Sequence, residues 1–240
     1  MEAQRDRVAE LEQQLQAVIA ERDRAICAIT DLNASLRSAQ DRQSATGEIL
    51  RAVANSLGDA EEALKQIADT TARLFGGQSV RIRLVEGGAW GLTIGVGASA
   101  QRIVTELTIQ QLSLSERNLQ SAVVLENRQV HIPDLDDVDP SMSDWPGLPP
   151  ARAAGTRTMA GTPLRRDGKA IGVLVVYRDR LAPFTSDELN LLQSFADQAV
   201  IAIENARLFD EVQQRTLELA KSLDDLRTAQ DRLVRRNLLL

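Results

Sequence analysis

Residues 158–209, TMAGTPLRRDGKAIGVLVVYRDRLAPFTSDELNLLQSFADQAVIAIENARLF, decide how the rest of the chain is read. Thr158 to Leu164 is a short run of small and apolar residues, followed by Arg166-Asp167-Gly168. Gly168 supplies the positive φ of a tight hairpin turn. Ile171 to Tyr177 is almost unbroken in its apolarity, as expected of a central strand covered on both faces. Thr185 and Glu188, three residues apart, form a capping box, and Phe184 and Leu189 sit where a hydrophobic staple closes. The helix they open has two apolar stripes. One runs through Leu192, Ala199 and Ile203, the other through Leu191, Phe195, Ala202 and Phe209. A sheet covers one stripe, so the second asks for another helix, from this chain or a partner chain.

Upstream, Ala60 to Phe75 reads as a helix between Gly58-Asp59 and Gly76-Gly77, with Leu64, Ile67, Ala68, Thr71 and Leu74 on one face. Ser79–Val85 and Ala89–Val96 read as a hairpin across Glu86-Gly87-Gly88. Arg102 to Ile109 is a further strand or a lid. Ser113 and Glu116 predict a second capping box, opening a helix that ends near Glu126, with Asn127 as a left-handed stop. Gln129 to Ile132 is a strand ended by Pro133. Asp134 to Ala154 holds four of the seven prolines and reads as a long functional or mobile loop.

Both ends carry coiled-coil patterns. Val8, Leu15, Arg22, Ile29, Leu36, Gln43, Leu50 and Leu57 are seven apart, and Leu11, Val18, Ala25, Leu32, Ala39, Thr46 and Val53 fill the second seam position. After Phe209 a seam continues through Val212, Thr216, Leu219, Leu223, Leu226, Gln230 and Leu233. LRSAQDR at 36–42 recurs as LRTAQDR at 226–232, one copy leading into the intervening domain and one leading away. The organisation expected is a coiled-coil helix over 1–42, a domain over 43–207 and a coiled-coil signalling helix over 208–240. The abrupt ending LVRRNLLL fits either a fragment or a stand-alone dimerising protein.

Composition narrows the function. A net charge of −6 without an aromatic-studded basic cluster argues against nucleic acid. The charged N-terminus is no signal peptide, and no run approaches the ~18 apolar residues that span a bilayer. A cytoplasmic location is expected. The single cysteine, Cys27, excludes a disulfide framework and a cysteine-rich metal site. No phosphate-binding GxxxxGK[ST] loop and no nucleophile elbow occurs, so no kinase, cyclase or hydrolase activity is expected of this chain.

GKAIGVLVVYRD, PFTSDEL and FADQAVIAIENARLFDEV together resemble the C-terminal half of a GAF domain of the kind found upstream of bacterial histidine kinases and cyclases. The resemblance covers roughly 45–212. It implies an α+β fold, an antiparallel sheet of five or six strands with helices on both faces, here flanked by the two coiled coils. It also implies that 134–154 covers a ligand pocket. Members bind small molecules, bind tetrapyrroles or only dimerise. The expectation is a sensory or regulatory module of two-component histidine kinase type. It would pair as a parallel homodimer and relay a small-molecule or conformational signal to an output domain, in cis or in trans. The alternatives are a ligand-free dimerisation scaffold and a haem sensor. A covalent bilin is not expected, because Cys27 lies in the upstream coil, and the cofactor is otherwise unknown. The NK…F…DE pattern of cyclic-nucleotide GAF domains is not reproduced after Asn127-Arg128.

The candidate ligand-binding residues are Arg81, Arg83, His131, Asp134, Arg157 and Thr158. Arg81 and Arg83 alternate with Val80, Ile82 and Leu84, which places both guanidiniums on one face of a strand. Buried, they need carboxylates from Asp134, Asp136 and Asp137 or a small anionic ligand; a partly solvated face is the remaining reading. Arg157 and Thr158 would line the same cavity. His131, the sole histidine, is not the phospho-acceptor of a kinase, because it sits on a short strand; in the haem alternative it would be an axial ligand.

Overall fold

The computed structural model describes residues 16, 19, 21–30, 32–33, 44, 47, 59–76, 79–98, 113–115 and 117–237. The chain divides into two units, Met1–Ala45 and Thr46–Leu240. In the first, residues 21–30 are helical and exposed. Most of the N-terminal heptad seam, and the strand or lid expected over 102–109, lie outside the described residues.

The second unit is built on a five-stranded antiparallel sheet. Its elements are α1 (Ala60–Leu74), β1 (Ser79–Glu86), β2 (Ala89–Val96), α2 (Leu119–Leu125), β3 (Val130–Ile132), a 3-10 turn (Pro140–Met142), α3 (Leu148–Ala153), β4 (Thr158–Arg166), β5 (Lys169–Arg178) and α4 (Ser186–Asn237). The strand order is β2-β1-β5-β4-β3. The apolar run of β5 is therefore central, and Val173 to Arg178 are buried throughout. The β4–β5 turn is closed by Asp167 at φ 51° and Gly168 at φ 75°. Both central residues have positive φ, as a two-residue turn requires to follow the twist of its strands.

Directly paired residues share a face of an antiparallel sheet. Ile82 pairs with Ile94 and Leu174, and Ala160 with Val176 and His131. These residues form one face, against which α1 and α4 pack. Asp59 caps α1 by accepting from the Glu62 amide at 3.0 Å. The capping box of α4 is formed as the sequence predicts: Thr185 N donates to Glu188 at 2.8 Å and Glu188 N to Thr185 Oγ1 at 3.2 Å. Leu192, Phe195, Ala196, Ala199, Ala202 and Ala206 of α4 are buried. The helix that its second stripe requires is α1 of the same chain.

The opposite face carries Arg81, Arg83, Val173, Val175, Tyr177, Met159 and Gly161. It is covered by α2, the 134–154 segment and α3. Two expectations are corrected here. The cap of α2 is Asn118, whose Oδ1 accepts from the Ser121 amide at 3.0 Å, so the helix starts later than Ser113 predicts. The 134–154 segment is not a loose loop. Leu135, Trp145, Leu148, Ala151 and Ala154 from it are buried in the core, Leu148 and Ala151 turned inward by the short helix α3.

Candidate functional site

The arginine strand lies under α2. Arg81 and Arg83 are 1% and 5% exposed, the most deeply buried positive charges of the second face. Arg83 is held by neutral groups. Its Nε donates to Thr93 Oγ1 at 3.3 Å and its Nη1 to Gln120 Oε1 at 3.1 Å. Its guanidinium lies 4.3 Å from the centroid of the Trp90 ring, a cation–π contact that strengthens when water is excluded. Gln120 in turn donates from Nε2 to the Tyr177 hydroxyl at 2.9 Å. Both are buried.

Among the described residues no carboxylate reaches Arg83. Burial, then the neighbouring charge of Arg81, push its pKa down to about 10, against a smaller upward pull from Tyr177. Two of the three acids expected to neutralise this strand are engaged elsewhere. Asp134 pairs with Arg157 at 3.1 Å; Asp136 pairs with Arg157 at 2.6 Å and with Arg152 at 3.5 Å. Asp134 and Asp136 thus clamp the loop to the start of β4, which corrects the reading that they balance Arg83.

Beside the Arg83–Gln120–Tyr177 chain is a cavity of about 30 Å³, lined by Asn118, Leu119, Gln120, Gly147, Ala151, Met159 and Tyr177. It admits a small group, not a nucleotide or a tetrapyrrole. Gly147 lines it, and Gly161 lies behind its Leu119 wall. A Cβ on Gly161 would come within 2.5 Å of Leu119 Cδ2, and one on Gly147 within 2.7 Å of the Asn118 Cβ. Gly161 lets α2 lie close enough to the sheet for Gln120 to reach both Arg83 and Tyr177.

A family model described as GAF domain matches residues 59–203, more than half of the chain. The chain belongs to the GAF domain family.

Solved structures place this GAF domain among known folds. It is similar to a free methionine-R-sulfoxide reductase from Neisseria meningitidis, solved with its substrate, at 21% identity and a TM-score of 0.55, covering 72% of this chain and 93% of that one. It is similar to the GAF domain of an Acinetobacter phosphoenolpyruvate-protein phosphotransferase at 16% identity and a TM-score of 0.52, covering 73% and 98%. It is also similar to a domain of a putative two-component sensor histidine kinase from Sinorhizobium meliloti at 18% identity and a TM-score of 0.50, covering 65% and 99%. At these identities the likeness establishes the fold alone. No curated protein matches the sequence.

Within the GAF domain the six candidate residues do not form one site. Arg81 and Arg83 face the cavity side of the sheet. His131 pairs with Ala160 and so faces the other side. Its Nε2 accepts from the Phe184 amide at 3.2 Å and its ring meets Phe184 edge-on. Burial, then the nearby Arg178 charge, hold its pKa below the ordinary histidine value, with Glu188 opposing. The geometry makes His131 a brace at the entry to α4; the haem reading is left without a free Nε2. Thr158 is also on the helix side, donating to the carbonyls of Pro133 at 2.8 Å and Arg180 at 3.2 Å. Asp134 and Arg157 form the ion pair at the loop base.

Gln120, Tyr177, Thr93 and Trp90 belong to the arginine site and are absent from the candidates drawn from sequence. A signal for Tyr177 exists: it follows Val173 and Val175 at period two, and pairing β5 with β1 sets that row opposite Arg81 and Arg83. No such signal exists for Gln120, since its direction depends on where α2 begins.

Proposed function

We propose that this chain is the sensory or regulatory part of a bacterial signalling protein of two-component histidine kinase type, acting as a parallel homodimer. Events in the cavity side of the GAF domain are relayed along α4 to an output domain. The observation that carries this reading is α4 itself, one uninterrupted helix from Ser186 to Asn237. Its first turns pack on the sheet and α1. Beyond them, Val212, Leu219, Leu223 and Leu226 recur at coiled-coil spacing and are each more than 60% exposed. A second copy of the same seam would bury them.

A polar strap joins the cavity helix to α4. Asn127, which ends α2 at φ 50°, accepts from Arg165 through Oδ1 at 3.1 Å and through its carbonyl at 2.9 Å. Arg165 Nη1 also donates to Gln193 of α4 at 3.2 Å. Gln129 Nε2 donates to Thr162 at 2.6 Å and to the Leu189 carbonyl at 2.9 Å. A displacement of α2 therefore acts on the second and third turns of α4. Light scattering on the purified chain tests the assembly: twice the chain mass is expected, falling to the monomer mass in Leu219→Glu/Leu223→Glu. A monomeric wild-type protein at micromolar concentration would sink the proposal.

A further inference from the structure

Resting on the pocket of that reading, we infer that the cavity between α2 and the sheet binds the carboxylate of a small aliphatic acid, through the Tyr177 hydroxyl backed by Gln120 and Arg83. Every hydrogen bond of the buried chain runs in one direction. The Arg83 guanidinium donates to Gln120 Oε1, and the Gln120 amide donates to the Tyr177 oxygen. The Tyr177 oxygen is thereby an acceptor, which leaves its own proton to give. Among the described residues nothing accepts it. A donor at the end of a chain headed by a buried cation is polarised toward an anion, since aligned hydrogen bonds reinforce one another where the dielectric is low.

The surroundings repeat the imbalance. The Trp90 indole stacks on Arg83, and its N–H is buried with no acceptor among the described residues. A buried charge with only neutral partners is costly; Arg83 does not itself line the cavity, so an anion there meets that charge through Gln120 and the Tyr177 hydroxyl. The remaining cavity lining sets the other end of the ligand. Leu119, Ala151 and Met159 are apolar; about 30 Å³, room for roughly two waters, takes the carboxylate head and leaves a short aliphatic body against that apolar lining.

Propionate is the probe and propionamide its neutral isostere, each titrated into the full chain at constant ionic strength while thermal unfolding is followed. A ligand that binds only the folded state raises the melting temperature, by about 3 °C or more once its concentration is well above the dissociation constant. Propionate is expected to do so and propionamide is not. Tyr177→Phe keeps the ring and removes the proton, and is expected to weaken the response at least about tenfold. Gln120→Glu is the complementary variant. The introduced carboxylate accepts from Arg83 with one oxygen and from Tyr177 with the other, so the protein is expected to melt higher without propionate and to ignore it. An equal response to propionamide, an unchanged response in Tyr177→Phe, or no response in the wild type would overturn the inference. Light scattering on the same samples separates this from the relay: a dimer that ignores propionate leaves the relay standing as a ligand-free scaffold, whereas a monomer that responds leaves only the carboxylate site.

Discussion

Replacing Gly161 by alanine tests the packing on which the cavity depends. The residue lies on β4, and the added Cβ would meet Leu119 Cδ2 at 2.5 Å, Val123 Cγ2 at 3.0 Å and Val175 Cγ2 at 3.5 Å. The last is ordinary contact; the first is not. Leu119 is 4% exposed and Val123 is fully buried, so neither can swing into solvent. Overpacking a closed core costs about 1–3 kcal/mol. Removing a glycine from a strand interior returns about 0.5–1 kcal/mol of backbone entropy. The net expectation is a loss centred on about 1 kcal/mol and reaching about 2.5 kcal/mol, or roughly 2–10 °C in melting temperature for a domain of this size. Chemical denaturation of Gly161→Ala, Leu119→Ala and the double variant measures it. The new methyl occupies space that Leu119→Ala vacates, so the double variant is expected to be more stable than the sum of the singles by about 1 kcal/mol. A Gly161→Ala protein as stable as wild type, or a strictly additive cycle, would refute the claim that this glycine sets the height of α2.

Two further outcomes follow from the sides of the sheet on which residues lie. His131 is held neutral in the fold by burial and by Arg178, while an unfolded histidine takes up a proton near pH 6.5. Its folded pKa is the lower one, so its contribution is present above about pH 6.5 and is lost as pH falls toward the folded value. The melting temperature is expected to drop between pH 7 and pH 5, and to drop less in His131→Gln, whose amide oxygen can still accept from Phe184; parallel pH profiles would remove His131 from the account. Arg157→Ala, which breaks half-exposed pairs with Asp134 and Asp136, is expected to cost no more than about 1 kcal/mol in a denaturant melt and to leave the propionate response intact. A lost response would return Arg157 to the ligand site.

Much of the fold is legible in the sequence because its signals are local. The β4–β5 hairpin announces itself by Asp167-Gly168, the start of α4 by Thr185 and Glu188, and the central strand by its unbroken apolar run. The alternation of Arg81 and Arg83 with aliphatics places them on one face by periodicity alone. The start of α2 is harder to read because Ser113/Glu116 and Asn118 are competing local caps, and the choice is made by how Leu119 and Val123 pack above Gly161. The 134–154 segment misleads for a related reason. Its prolines signal a loop, while Leu135, Trp145, Leu148 and Ala151 are drawn in by a core that exists only after the sheet has formed.

The candidate site divides along the same line. By itself the sequence determined that two arginines share one face of a strand, that the sole cysteine lies upstream of the domain, and that a capped helix leads out of it. Only the tertiary structure decided who meets those arginines. Period two fixes a side chain's face within its own strand, but which residues of other strands share that face depends on register. Register put His131 and Thr158 on the helix side and Tyr177 on the cavity side. Between Asp134 and Arg83, and between Gln120 and Tyr177, the separations in sequence are long, and no local signal reports them. Each charge takes the partners that packing brings within reach: Arg157 for the loop acids, and Gln120 for the buried Arg83.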